Sequence, residues 1–246
     1  MLKNGSKKNF MAKGYSRVLV ISDLHCPWEH PDAFAFLKAL KKKIKPDFVL
    51  GAGDECDAHA LSFHDTDSDL MSAGDELIAT KKKLHKLEKI FPEMTLLHSN
   101  HSSLIYRRAL KHGMPRAYLK HYNEFLEVGP GWEWVDDITI PLSDGTKAFA
   151  THGMAADGLK LAMQYGLHTI QGHFHSKMNI QYFSNPSSLI WSMQVGCLTK
   201  QSSLAFEYAR NFKMRFVIGT GAVINGQPKL YIMRLNKDNR WDGKIV

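Results

Sequence analysis

The sequence has little cysteine, no long apolar run and no acidic residue in its first 17 positions. Three cysteines in 246 residues, Cys26, Cys56 and Cys197, are too few and too scattered for a disulfide scaffold. Free thiols suit a reducing compartment, so the expected location is cytoplasmic. No apolar stretch approaches the ~18 residues of a membrane span, which excludes a membrane-crossing role. The polar, basic N-terminus has no apolar core of a secretory signal. A composition of 44% apolar, 11% aromatic and 23% charged residues also excludes collagen-like, coiled-coil and wholly disordered chains.

The net charge of +8 is unevenly placed. Lys3, Lys7, Lys8, Lys13 and Arg17 supply five of those charges, so residues 1–16 read as a basic, disordered tail ahead of one domain over residues 17–246. Elsewhere the excess gathers between His101 and Asn123, where Arg107, Arg108, Lys111, Arg116 and Lys120 occur without an Asp or Glu. Lys41–Lys43 and Lys81–Lys83 lie on helical patterns and read as solvated faces. Nothing in the pattern speaks to oligomeric state.

The first half alternates strand and helix signals, while the last third is mostly strand. Short β-branched or apolar runs at Val18–Ile21, Phe48–Leu50 and Met94–Leu97 read as buried strands. Pro31–Ile44 and Asp69–Phe91 carry apolar residues at helical spacing. Ser102–His112 and Arg116–Phe125 read as two short helices. Trp132–Ile140, Lys147–Thr151 and His168–Gln171 read as strands, with a helix at Ala156–Gly166. Further strands are expected at Asn179–Phe183, Leu189–Cys197, Arg215–Thr220 and Lys229–Leu235. The expected class is therefore α/β, a single domain built on two sheets.

Five apolar runs end in the same way, with a metal-type side chain just beyond. Val18–Ile21 leads to Asp23 and His25, and Phe48–Leu50 leads through Gly53 to Asp54. Met94–Leu97 leads to Asn100 and His101, Phe149–Thr151 to His152, and His168–Gln171 through Gly172 to His173 and His175. Ligands of α/β sheets collect where strand C-termini open into loops, so these ends would meet in one crevice. Carboxylate oxygen with imidazole nitrogen, and no thiolate, suits Mn, Fe or Zn. Glycines before Asp54 and His173 would let the backbone turn sharply and approach closely.

The ordered set Asp23-Leu24-His25, Gly53-Asp54, Asn100-His101, His152-Gly153 and Gly172-His173-Phe174-His175 resembles the motifs of the calcineurin-like metallophosphoesterase superfamily. There is a looser similarity to short phosphoesterases carried by bacteriophages, which would place the protein in a host cytoplasm. The resemblance implies a four-layer α-β-β-α sandwich of two mixed sheets and two divalent ions, manganese first. It implies Asp23, His25 and His175 on one ion, Asp54 shared, and Asn100, His152 and His173 on the other. Water activated between the ions would be the nucleophile. His101 would be the catalytic residue that protonates the leaving oxygen or binds phosphate.

The third motif runs Ser99-Asn100-His101-Ser102, without the acid that would usually follow the histidine, so His101 is expected to lack its orienting carboxylate. The second continues Glu55-Cys56-Asp57-Ala58, without the arginine of protein Ser/Thr phosphatases, which argues against a phosphoprotein substrate. Cys26 and Cys56 read as small buried hydrophobes that are neighbours in space. Trp132 and Trp134 read as sheet-core anchors. Of the remaining histidines, His64 is the best placed to touch substrate. Arg107, Arg108 and Lys111 should rim the cleft and bind substrate phosphates. The expected activity is a phosphodiesterase or nuclease acting on nucleic acid. The rivals are a phosphomonoesterase or nucleotide phosphatase with the same two ions, and a nucleic-acid-binding protein with a non-catalytic metal site.

Overall fold

The computed structural model describes residues 14–63, 69–200 and 215–245. Strands β1 (Arg17–Ile21), β2 (Phe48–Gly51), β3 (Met94–Leu97) and β4 (Trp132–Val135) run parallel and adjacent in that order. On the far side of β1, two antiparallel strands complete the first sheet, β10 (Gly219–Ile224) and β11 (Gln227–Ile232). The second sheet has the order β5 (Ile138–Pro141), β6 (Lys147–Thr151), β7 (His168–Gln171), β9 (Ser188–Val195), β8 (Met178–Asn185). Its inner three strands are parallel and its two outer strands antiparallel, so both sheets are mixed.

Alternation along β1 sorts its side chains between two cores. Val18 and Val20 point into the space between the sheets, where they meet Leu50, Ala150, Ile170 and Met193. Leu19 and Ile21 point the other way, into a core shared with helices α1 (Ala33–Ile44), α2 (Ala73–Ile90) and α4 (Tyr122–Leu126). Helix α1 buries Phe36, Leu37, Leu40 and Ile44, while its lysines stay outside. Helix α5 (Gly158–Tyr165) covers the outer face of the second sheet with Leu161 and Ala162 buried. The result is the expected four-layer α-β-β-α sandwich. Among the described residues no helix is long and apolar enough to cross a membrane.

Several boundaries differ from expectation for identifiable reasons. The expected strand 132–140 is two strands: the chain leaves the first sheet after Val135 and enters the second at Ile138, across Asp136-Asp137. Helix α2 starts at Ala73 rather than Asp69 because Ser72 caps it, its hydroxyl accepting from the Asp75 N–H. Residues 116–125 are not one helix but a short 3₁₀ turn at Arg116–Tyr118 followed by α4. The strand expected at 215–220 lies at Gly219–Ile224 and pairs with β11 through the turn Asn225-Gly226, both left-handed. Residues 14–16, expected in the tail, are held in place: the Tyr15 N–H donates to the Pro141 carbonyl and the Ser16 N–H to Asp47. The rest of the expected tail, residues 1–13, lies outside the described residues, as does His64.

Candidate metal centre

All five strand ends open at the same edge of the sandwich. Asp23 and His25 follow β1, Asp54 follows β2, Asn100 and His101 follow β3, His152 follows β6, and His173 and His175 follow β7. Asp23, His25 and Asp54 are buried, and the other members are partly so. The ligand atoms of Asp23, His25, Asp54 and His175 lie within 4.8 Å of one another, as do those of Asp54, His152 and His173. Asp54 belongs to both groups. Asn100 joins the second, its Oδ1 3.0 Å from His152 Nε2. The sequence-predicted ligands are therefore brought together in one cage.

Backbone geometry lets the loops approach this closely. Asp23, His25, Asp54 and His173 all have left-handed φ, between 49° and 71°, a costly conformation for non-glycine residues and one that gathers at functional sites. Gly53 and Gly172 make room for it. A Cβ on Gly53 would sit 2.3 Å from His152 Nδ1, and one on Gly172 would sit 1.9 Å from Ser22 Oγ and 2.7 Å from Asp23 Oδ2. Neither position tolerates a side chain.

Hydrogen bonds behind the cage fix each ligand. The His173 N–H donates to Asp23 at 2.9 Å, and the His101 N–H donates to Asp54 Oδ1 at 3.2 Å. Ser22 also hydrogen-bonds Asp23. His152 Nδ1–H donates to the Ala52 carbonyl at 2.7 Å, which turns Nε2 toward Asp54 and Asn100. His25 Nδ1 lies 2.6 Å from Asp57 Oδ1, which turns its Nε2 toward Asp54 and His175. Such carboxylate–histidine pairs fix the tautomer of a metal-binding imidazole and raise its basicity.

Asp57 corrects the expectation about His101. No acid follows His101, and Ser102 is turned inward against Ser99. A carboxylate reaches the ring from the second motif instead. His101 Nδ1 lies 2.8 Å from the Asp57 carbonyl and 3.1 Å from its Oδ1, leaving Nε2 as the outward ring nitrogen. Burial opposes charge on this ring, but Asp54 and Asp57 outweigh it and lift its pKa to about 10. Asp57 itself, though buried, is held down at about 2 by His101 and His25.

The electrostatics call for a cation. Asp23, Asp54 and Asp57 are essentially sealed from solvent, and among the described residues their only ion-pair partners are histidines. Burial would raise the Asp54 carboxyl, yet the charges of His152 and His101 hold it well below the usual range. Against the same burial, Asp54 lifts His152 to about 9. Burial pulls His25 and His173 down, toward the neutral form that ligates metals. Balancing charge must come from ring protons or from cations bound among these oxygens and nitrogens. The residues fit divalent ions.

The expected phosphate contacts divide. Helix α3 (Leu104–Lys111) begins just after His101 and carries all three. Arg107 and Lys111 are exposed, flank the Phe63 ring at 5.3 and 4.9 Å, and form no ion pair among the described residues. Arg108 is half-buried, lies over the same ring at 4.2 Å and also bonds backbone. Its Nε donates to the Leu61 carbonyl at 2.8 Å and its terminal nitrogen to the Ser62 carbonyl. Two of its five N–H donors are thus spent on the backbone rather than on the cleft.

Other expectations hold. Cys26 and Cys56 are buried bridge partners with free thiols. Trp132 is core, donating to the Phe91 carbonyl, and half-buried Trp134 donates to Glu55. Of the other histidines, His168 is a packing residue stacked 4.4 Å from Trp191.

The profile of the calcineurin-like phosphoesterase family matches residues 16–193. Among solved structures, Vacuolar Protein Sorting 29 from Cryptosporidium parvum superposes with a TM-score of 0.50 at 17% identity, covering 95% of this chain and 96% of that one. Chaetomium thermophilum Vps29 gives 0.48 at 12% identity, covering 94% and 93%. At such identities the likeness concerns the fold alone. No protein of curated function matches the chain.

Proposed function

Because this chain belongs to the calcineurin-like phosphoesterase family, we propose that it hydrolyses phosphodiesters, with nucleic acid as substrate, using two divalent ions held by the strand-end cage. The observation that carries this reading is the double membership of Asp54, which links two groups of ligands through one carboxylate. A carboxylate can offer one oxygen to each of two ions, which a neutral imidazole cannot. Asp23, His25 and His175 complete the first position, and Asn100, His152 and His173 the second. Oxygen and nitrogen donors without thiolate favour manganese, ahead of iron or zinc. Bound there, the ions would supply Lewis acidity, polarising the phosphoryl oxygens and acidifying water.

The protein's own residues do the rest. Asp57 fixes the His101 ring and holds a proton at its Nδ1, so that Nε2 can give a proton to the leaving oxygen. Arg107 and Lys111 lie along the helix that starts beside His101 and form no ion pair among the described residues. They would hold phosphates flanking the scissile bond, which favours a polymer over a small monoester. The reaction is assigned to the cytoplasm, a host's if the gene is a phage's.

A substrate panel with Mn²⁺ tests the reading. It comprises an aryl monoester, an aryl diester, cyclic nucleotides, and single- and double-stranded DNA and RNA. Faster turnover of the diester and of a nucleic acid, abolished by chelation, is expected. Preference for the monoester or for free nucleotides would make the protein a small-substrate phosphatase. No turnover of any ester, with nucleic acid still bound, would make the metal site non-catalytic.

A further inference from the structure

The turn that carries Asp57 is gripped from both sides. Asp57 leads into a short 3₁₀ turn at His59–Leu61, entered through Ala58 in a left-handed conformation at φ 52°. On its N–H side, the buried Glu76 carboxylate of α2 accepts from His59 at 2.8 Å and from Ala60 at 3.0 Å. On its carbonyl side, Arg108 of α3 donates to Leu61 and Ser62. An anion at the N-terminal N–H groups and a cation at the C-terminal carbonyls match the polarity of a helical turn.

Arg108 lies seven residues after His101, on the helix that follows it through one turn, the Leu104 N–H donating to the His101 carbonyl. Its fork therefore joins the two elements that carry the two members of one contact. If α3 slid against the turn, the separations between His101 Nδ1 and Asp57, 2.8 and 3.1 Å, would open. The planar guanidinium spans two successive carbonyls, which a lysine ammonium on one stem cannot do with the same geometry.

We infer that Arg108 is a positioning residue, which with Glu76 holds the turn 57–62 so that Asp57 orients His101. This rests on the hydrolytic reading, but it assigns Arg108 the opposite behaviour from Arg107 and Lys111. Arg108 acts on the chemistry of even the smallest substrate, while its neighbours act only on long ones.

The test uses the Mn²⁺-reconstituted protein and aryl phosphodiesters with good and poor leaving groups. In Arg108→Met, kcat for the poor leaving group should fall about tenfold or more, part of what full general-acid catalysis is worth. The loss should be smaller for the good leaving group, with KM and bound manganese unchanged. Arg108→Lys should recover part of the loss. Glu76→Gln, which offers one acceptor oxygen in place of two, should repeat the leaving-group dependence in milder form.

A second readout needs no turnover. In histidine-labelled protein, with or without Zn²⁺, the His101 Nδ1–H resonance should move or vanish in Arg108→Met while that of His152 stays. A raised KM with unchanged kcat would make Arg108 a substrate contact and overturn the inference. Equal losses for both leaving groups with the His101 resonance unmoved would overturn it too. If wild type hydrolyses no ester, the proposed activity fails, and the resonance alone decides where Arg108 acts.

Discussion

At the residue scale, Asp57 serves two rings at once. Its Oδ1 meets His25 Nδ1 at 2.6 Å and His101 Nδ1 at 3.1 Å, so one buried carboxylate orients a candidate ligand and the candidate acid. His101→Ala should therefore slow hydrolysis by about 10²–10⁴-fold for poor leaving groups. It should affect good leaving groups far less and leave bound metal unchanged. Leaving-group series with metal analysis on both proteins check this; an equal, small loss across the series would remove the acid role. The cage ligands were legible in sequence because each stands just past an apolar run, a pattern that a parallel sheet turns into proximity. Asp57 was not, because its value comes from where the chain folds back after Asp54. Its spacing from Asp54 looks like any other loop position.

At the scale of elements, charge was legible but its direction was not. Arg107, Arg108 and Lys111 share one helix and one sign and all lie over the Phe63 ring, yet Arg108 alone is half-buried and bonds the carbonyls of Leu61 and Ser62, while the others are exposed. Neutralising Arg107 and Lys111 together should weaken nucleic-acid binding. It should flatten the salt dependence by up to about 0.7–0.9 for each phosphate no longer held, with small-diester kinetics unchanged. An unaltered slope in a filter-binding titration would take these two residues out of the interface. Helix starts depend on similar local detail. Ser72→Ala should destabilise the protein by about 1 kcal/mol, since the α2 N-terminus loses its cap, and chemical denaturation measures this directly. Asn225-Gly226 is the hairpin signal that locates β10 and β11. The break at Asp136-Asp137 carries no comparable mark, since nothing local says which of two sheets a strand will join.

At the scale of the molecule, the C-terminal segment is fastened to the start of α1. Arg240 pairs with Asp32 through two nitrogens, and the Trp241 N–H donates to the same carboxylate at 2.9 Å. The Trp241 ring packs edge-on to Phe36, with centroids 5.6 Å apart. Hydrogen bonding from Arg240 lowers the Asp32 pKa from 3.8 to about 2. A depressed folded-state pKa means that this clasp is complete above pH about 4 and lost as pH falls through about 2. The Trp241 emission, taken as the difference between wild type and Trp241→Phe, should shift to the red over that window. In Asp32→Ala it should be shifted already at neutral pH; an unshifted spectrum there would show that Asp32 does not hold the segment. The sandwich follows from the order of strand and helix signals. This long-range fastening, spanning more than 200 residues of sequence, had no local sign.

Titration of the metal-free protein with Mn²⁺, followed by calorimetry and metal analysis, tests most directly whether Asp54 joins two cation positions. Wild type should bind two ions per chain, and Asp54→Asn, folded as judged by circular dichroism, should lose both affinity and hydrolysis. A wild-type protein that binds no divalent ion under these conditions, or an Asp54→Asn variant that binds two as tightly, would contradict it.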